Sequence, residues 1–242
     1  MKQNSVKYLL LFIVLFGQAC SSWNLQSIEP TYYKIDSLGV DSSIQAMTLP
    51  YKQHIDSVMD VKLVDLPLDL TKNKPNGNLG LWMADACRAN AARKLNRSVD
   101  VALLNHGGIR RPYLKKGPVT LGMMYELMPF DNLMVVLTVK GRLLKDILEI
   151  AEERGGEPLS GAIVSVKEGI SQISIDGADL DLNKEYTLVA NDYMYNGGDG
   201  YAVLQNGSKP EYLGLIRDAL VEEINLTAEF PSSGTLRWIG HE

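Results

Sequence analysis

Three short loops hold the residues whose types and spacing bear on chemistry. The first is Asn105-His106-Gly107-Gly108-Ile109-Arg110-Arg111-Pro112, which offers a side-chain amide, two glycines whose N–H groups can face an anion, and an arginine charged at any working pH. The second, Pro129-Phe130-Asp131-Asn132, presents an aromatic ring behind a proline that fixes its approach. The third, Asn191-Asp192-Tyr193-Met194-Tyr195-Asn196-Gly197-Gly198-Asp199-Gly200-Tyr201, spends three glycines, three tyrosines and two aspartates on eleven residues. Glycine lets a backbone turn through positive φ and lets a ligand come close, while tyrosine brings a flat face and a hydroxyl. Together the loops supply a cation for phosphate, two aromatic faces for a base, and a carboxylate able to accept hydrogen bonds from ribose hydroxyls or a base amine. Taken alone, the third loop also fits a hairpin turn with solvated tyrosines.

The same inspection finds no acid–base pair and no metal set. The three histidines are scattered: His54 in a helix-like segment, His106 inside the arginine loop, His241 beside the C-terminus. Surface or loop placement is the ordinary reading of each. Glu152-Glu153, Asp179 with Asp181, and Glu222-Glu223 read as solvated helix or turn faces. The Asn-x-Ser/Thr sequons at Asn96, Asn206 and Asn225 read as chance.

The elements that must position these loops follow from apolar spacing. A strand is expected through Met59, Val61, Leu63 and Leu66, and a largely buried helix over 79–95 with Leu79, Trp82, Met83 and Ala86 on one face. Cys87 falls within that helix, where a buried and inert thiol is expected. A buried strand over 99–104 leads into the arginine loop, and a helix-like stretch runs to Met128. A strand over 133–139 precedes an amphipathic helix over 141–154 with Leu143, Leu144, Ile147, Leu148 and Ala151 inward. Strands over 162–166, 170–175 and 186–190 lead to the glycine–tyrosine loop. A last helix carries Leu213, Ile216, Leu220 and Ile224, and residues 236–239 close the domain. Without strict βαβ alternation, this order favours an α+β or mixed α/β fold over a doubly wound one.

Composition bounds the rest. With 242 residues, 45% hydrophobic and 22% charged, the chain suits one sizeable domain. A net charge of −5 argues against a nucleic-acid partner, which needs a basic face, but leaves room for a small anion on a local basic patch. Residues 1–20 combine Lys2 and Lys7 with the apolar run 8–16 and then Gly17-Gln18-Ala19-Cys20, the pattern of a secretory signal. The break at Cys20 followed by Ser21-Ser22 resembles a bacterial lipoprotein signal, which implies lipidation of Cys20 and an exported protein held to a membrane, facing the periplasm or cell surface. A plain signal peptide or a short anchor remain the alternatives. Residues 21–45, with Pro30 and Tyr32-Tyr33-Lys34-Ile35, read as a tether and edge strand, leaving 46–242 for the domain.

In this order the motifs Asn-His-Gly-Gly-Ile-Arg, Pro-Phe-x-Asn and Asn-Asp-Tyr-Met-Tyr-Asn-Gly-Gly-Asp-Gly-Tyr resemble the C-terminal domain of 5′-nucleotidases, over nearly all of the chain after about residue 45. The resemblance implies a nucleoside held between Phe130 and Tyr193, with Asn105 and Arg110 toward the ribose and phosphate. It places Asn196 and Asp199 in the binding loop, the aspartate on ribose hydroxyls. Tyr193 stands where the family usually has phenylalanine. A further arginine usual in the family is missing from Thr71-Lys72-Asn73-Lys74-Pro75, where lysines stand instead. The family's metal-binding motifs are absent too, so the resemblance implies no metal or other cofactor in this chain. The resemblance leads to an expectation of divalent metals only in a partner metallophosphoesterase, where a two-metal site would both activate water and neutralise phosphate. Three readings follow: the nucleotide-recognition half of a two-chain phosphohydrolase in nucleotide catabolism, a non-catalytic nucleoside- or nucleotide-binding lipoprotein, or a relic that binds nothing. Retention of Arg110, Phe130 and Asp199 together argues against the last.

Overall fold

A computed structural model describes residues 41–167 and 170–240. The expected signal, the lipidated Cys20, the strand at 32–35 and His241 lie outside the described residues. The chain divides into units 1–47 and 48–242. In the described part of the first, the Asp41 carboxylate accepts from the backbone N–H and the hydroxyl of Ser43, and these bonds lower its pKa.

The elements run α1 (Ser42–Met59), β1 (Lys62–Leu66), β2 (Leu70–Thr71), α2 (Asn78–Leu95), β3 (Val101–Leu103), β4 (Tyr113–Leu114), β5 (Gly117–Thr120), α3 (Leu121–Leu127), β6 (Leu133–Lys140) and α4 (Gly141–Glu153). They continue β7 (Leu159–Ser160), β8 (Ala162–Lys167), β9 (Ile170–Ile175), β10 (Ala178–Asp179), β11 (Glu185–Asn191), α5 (Asp192–Tyr195), β12 (Glu211–Leu215), α6 (Ile216–Ile224) and β13 (Trp238–Ile239). Helices and mixed sheets alternate without a doubly wound pattern, so the fold is the expected mixed α/β type.

A five-stranded sheet in the order β12-β6-β11-β3-β7 is the frame. Side chains alternate across a strand, and here both faces are apolar. On β6, Met134 and Val136 join the core under α2 and α6, while Val135, Leu137 and Val139 join the core under α4. On β3, Ala102 faces the first core, and Val101 and Leu103 face the second. α4 turns Leu144, Ile147, Leu148 and Ala151 fully inward, each large side chain contributing on the order of 2 kcal/mol by leaving water. α2 is buried along most of its length, and Cys87 within it has a pKa pushed up to about 12 by that burial.

Strand directions explain how loops distant in sequence meet. β11 runs parallel to β3, with Val189 opposite Ala102, and antiparallel to β6, with Asn191 opposite Met134. The ends of β3 and β11 and the beginning of β6 therefore share one edge of the sheet, and all three chemistry-bearing loops emerge there. Elsewhere β8–β10 and β13 form a second sheet in the order β10-β9-β8-β13.

Several local expectations differ from the fold: the helix-like stretch to Met128 begins only at Leu121, after β4 and β5, and Glu223, expected on a solvated face, is buried against Asn90 and Arg93. Met59 ends a helix rather than joining β1, because α1 runs from Ser42 through the expected 45/46 boundary. The β1 strand starts only at Lys62 and pairs with β5. Leu213 belongs to β12, where pairing to β6 overrides the helical spacing it shares with Ile216.

Candidate nucleoside-binding site

At that sheet edge a cavity of about 330 Å³ is lined by Asn105, Gly107, Gly108, Arg110, Phe130, Asn132, Tyr193 and Asp199. Five of the six candidate binding residues thus converge. Asn196 does not: it follows α5, its N–H donates to the Asp192 carbonyl, and its side chain is exposed outside the cavity lining.

The polar side of the cavity is wired to the sheet. Asn191, fully buried at the end of β11, accepts the Met194 N–H on its Oδ1 and so caps α5. Its Nδ2 donates to Asn105 Oδ1 at 2.8 Å, and Asn105 Nδ2 donates in turn to Asp199 Oδ2 at 2.8 Å. Asp199 takes a left-handed backbone with φ 55° and ψ 19°, a region that aspartate tolerates better than most residues. Its Oδ1 also meets Arg154 Nη2 at 3.0 Å.

Arg154 is held from behind by Glu157, whose buried carboxylate accepts from Arg154 Nε at 3.0 Å and closely from the His106 N–H, with Lys74 Nζ at 3.6 Å. Arg154, Glu157 and Asn191 were not singled out from sequence. Nothing in their local spacing pairs them with a loop some forty or ninety residues away in the chain. Asn132 was also passed over, although it stands two residues after Phe130 in the same motif.

The aromatic side is more open: Phe130 and Tyr193 are 43% and 45% exposed. The Arg110 guanidinium lies 5.6 Å from the Phe130 ring centroid. Tyr193 packs on Gly198, where an added Cβ would fall 2.5 Å from the ring, so only glycine fits there. Its hydroxyl reaches Asp199 Oδ1 at 3.5 Å, the outer limit of a hydrogen bond.

Lys72, in the segment where an arginine is missing, donates to the Ile109 carbonyl at 2.7 Å and braces the arginine loop from behind. Burial, and then the neighbouring Arg110, lower its pKa. His106 points away from the cavity into a tight space beside Lys72, Pro75 and Gly77, its Nε2 buried without a hydrogen-bond partner among the described residues. Burial and the charges of Lys72 and Lys74 bring its pKa down to about 4, so it is neutral at physiological pH. Among the described residues no group of three or more His, Cys, Asp or Glu side chains can hold a metal ion. A wider groove of about 610 Å³ shares no residue with this site. It has no aromatic face, and the N–H groups of Gly141 and Arg142 at its helix start already donate to the Lys184 and Leu182 carbonyls.

Two aromatic rings, an arginine and a carboxylate held by hydrogen bonds thus line one small cavity at the strand ends of a mixed sheet. The family described as 5′-nucleotidase, C-terminal domain, matches residues 58–206, and this chain belongs to it. The chain is 28% identical over 221 residues to Endonuclease YhcR of Bacillus subtilis, an overlap covering 86% of this chain and 17% of that protein. It is 24% identical over 206 residues to the cell wall protein Lmo0130 of Listeria monocytogenes, covering 73% of this chain and 26% of that one. The fold matches that of a 5′-nucleotidase precursor from Thermus thermophilus with a TM-score of 0.68 at 24% identity, over 84% of this chain and 44% of the other. The chain therefore spans less than half the length of each of these proteins. No helix among the described residues is long and apolar enough to cross a membrane.

Proposed function

We propose that the chain binds a nucleoside or 5′-nucleotide in the cavity at the β3–β11–β6 edge. The base lies between Phe130 and Tyr193, the ribose hydroxyls on Asp199 and Asn105, and the phosphate near Arg110. One observation carries the reading: two half-exposed rings, a guanidinium and a carboxylate fixed by hydrogen bonds line the same small cavity. Stacking gives affinity that any base can use, the carboxylate selects a sugar, and the arginine adds charge-assisted bonds to phosphate.

We propose further that the chain is the recognition half of a phosphohydrolase acting on nucleotides, with the two-metal chemistry supplied by a separate metallophosphoesterase chain. The donor set of the described residues supports this division, because no three metal-ligating side chains cluster. Calorimetry with adenosine and its 5′-monophosphate tests the binding reading, and a folded protein that takes up neither refutes it. For the second reading, the purified chain given Mn²⁺, Zn²⁺ or Co²⁺ should release no phosphate from 5′-nucleotides until a metallophosphoesterase chain is added. Turnover by the chain alone would sink it.

Residues 1–20 and the likeness to a cell wall protein support export with a lipid on Cys20. Changing Cys20→Ser should then abolish lipid labelling and membrane retention, and unchanged labelling would contradict the assignment.

A further inference from the structure

Ligand contact does not account for the placement of Arg154. It sits in the turn after α4, outside the cavity lining, yet its Nη2 reaches Asp199 Oδ1 at 3.0 Å from 45 residues away in the chain. Its Nε is tied to Glu157 Oε1 at 3.0 Å, and its carbonyl accepts from Lys74 Nζ at 2.6 Å. The Glu157 side chain is wholly buried, and a buried carboxylate persists only where donors compensate for lost water. Here those donors include Arg154 itself.

An ionised carboxylate has about four acceptor positions, two on each oxygen. On Asp199, Asn105 takes one position of Oδ2 and Arg154 takes one of Oδ1, while the Tyr193 hydroxyl at 3.5 Å is too distant to compete strongly. One acceptor position is left on each oxygen. A side chain held at both oxygens cannot rotate away, and the left-handed φ of 55° at this residue is itself kept by such anchoring.

We propose that Arg154 is a positioning residue that turns Asp199 into a fixed two-pronged acceptor, so that the site selects a vicinal diol, the 2′- and 3′-hydroxyls of a riboside. Without it, Asp199 retains only the Asn105 bond and swings about it, and the second prong is lost. The inference rests on the nucleoside reading of the cavity, and the test separates the two.

The experiment is calorimetry on the purified full chain with adenosine and with 2′,3′-dideoxyadenosine, which has the same base but no diol. The variants are Arg154→Gln, Arg154→Lys, Asp199→Asn and the double Arg154→Gln/Asp199→Asn. Arg154→Gln should weaken adenosine about tenfold, the scale of one charge-assisted bond, and leave dideoxyadenosine unchanged. Lysine should restore part of the loss. In the Asp199→Asn background the Arg154→Gln change should add nothing, because residues acting through one group are not additive.

An equal loss for both ligands would show a merely structural role and overturn the inference, as would wild-type adenosine affinity in Arg154→Gln. Wild type that binds dideoxyadenosine as tightly as adenosine refutes diol selection while leaving the ring pocket standing. Wild type that binds neither ligand refutes the pocket itself and this inference with it.

Discussion

Replacing Phe130 by alanine isolates the stacking contribution at a residue that the fold barely needs. The ring is 43% exposed and joins neither apolar core, so its loss should alter stability by no more than about 1 kcal/mol, the worth of an exposed cation–π contact to Arg110. Its loss from a bound base is another matter. Stacking of a base on one ring is worth about 1–3 kcal/mol, which is about tenfold to a hundredfold in Kd. The Arg110 guanidinium, 5.6 Å from the ring centroid, also loses a cation–π contact of about 0.5–1 kcal/mol that helps hold it toward the cavity. Adenosine 5′-monophosphate should therefore suffer somewhat more than adenosine. Tyr193→Ala should match the adenosine loss, whereas Tyr193→Phe should change little, because the hydroxyl at 3.5 Å from Asp199 makes only a marginal hydrogen bond. Calorimetry at fixed salt gives the affinities of wild type and the variants for both ligands, and thermal unfolding checks that the variants are folded. If wild type binds adenosine and both alanine variants bind it equally well, the base does not lie between these rings and the placement is wrong.

Arg110→Ala should cost 5′-nucleotides about tenfold while leaving nucleosides within about twofold, since the lost bond is charge-assisted and made only to phosphate; equal loss for both in calorimetry would place the arginine elsewhere. His106, whose pKa falls to about 4 in the fold against an ordinary value near 6.5, takes up its proton in the unfolded chain first. Its contribution is thus constant above about pH 6.5, erodes as pH falls from there, and stops eroding below about pH 4. The Tm of His106→Asn should accordingly drop less than that of wild type between pH 7 and pH 4.5, and parallel curves would refute the assignment. Asn132 lines the cavity and its side-chain amide makes no hydrogen bond among the described residues, so on the proposed reading it is the group available to a base edge. Asn132→Ala should bring the affinities of adenosine and uridine closer together, and an unchanged ratio would rule that out.

How much of this was legible in the sequence depends on distance along the chain. Asn105, Arg110, Phe130, Tyr193 and Asp199 announced themselves because glycines and a proline mark the loops in which they stand, and those loops punctuate strongly periodic apolar segments. α4 was equally plain, its inward stripe at Leu144, Ile147, Leu148 and Ala151 being local. The parallel pairing of β11 with β3 across some ninety residues was not, and it is this pairing that makes the Asn191–Asn105–Asp199 chain possible. Arg154 read only as the end of the helix over 141–154 and Glu157 drew no reading, since an ion pair to residue 199 has no local signature. Asn196 shares the glycine-rich stretch with Asp199 but ends α5 outside the cavity lining, whereas Asp199 lines it. α1 was legible only as the helix-like segment around His54, because it buries no residue and no packed face imposed a helical stripe on its sequence.

The two sides of the cavity are built to different tolerances, and that difference bears on what the site recognises. On the polar side each group is committed before any ligand arrives: Asn191 is fixed by a helix cap, Asn105 by Asn191 and Asp199, and Asp199 by Asn105 and Arg154. Such groups cannot reorient to suit a different hydroxyl pattern without breaking a buried hydrogen bond, so they recognise by geometry. The aromatic side has no such chain. Phe130 and Tyr193 are nearly half exposed, and the contacts that place them are a proline, one glycine surface and a cation 5.6 Å away. Rings held that loosely accept any flat π-face at similar cost. On the nucleoside reading proposed above, a site strict about the sugar and lenient about the base would suit a protein that gathers nucleotides as a class, with Asn132 as the group through which one base could be favoured over another.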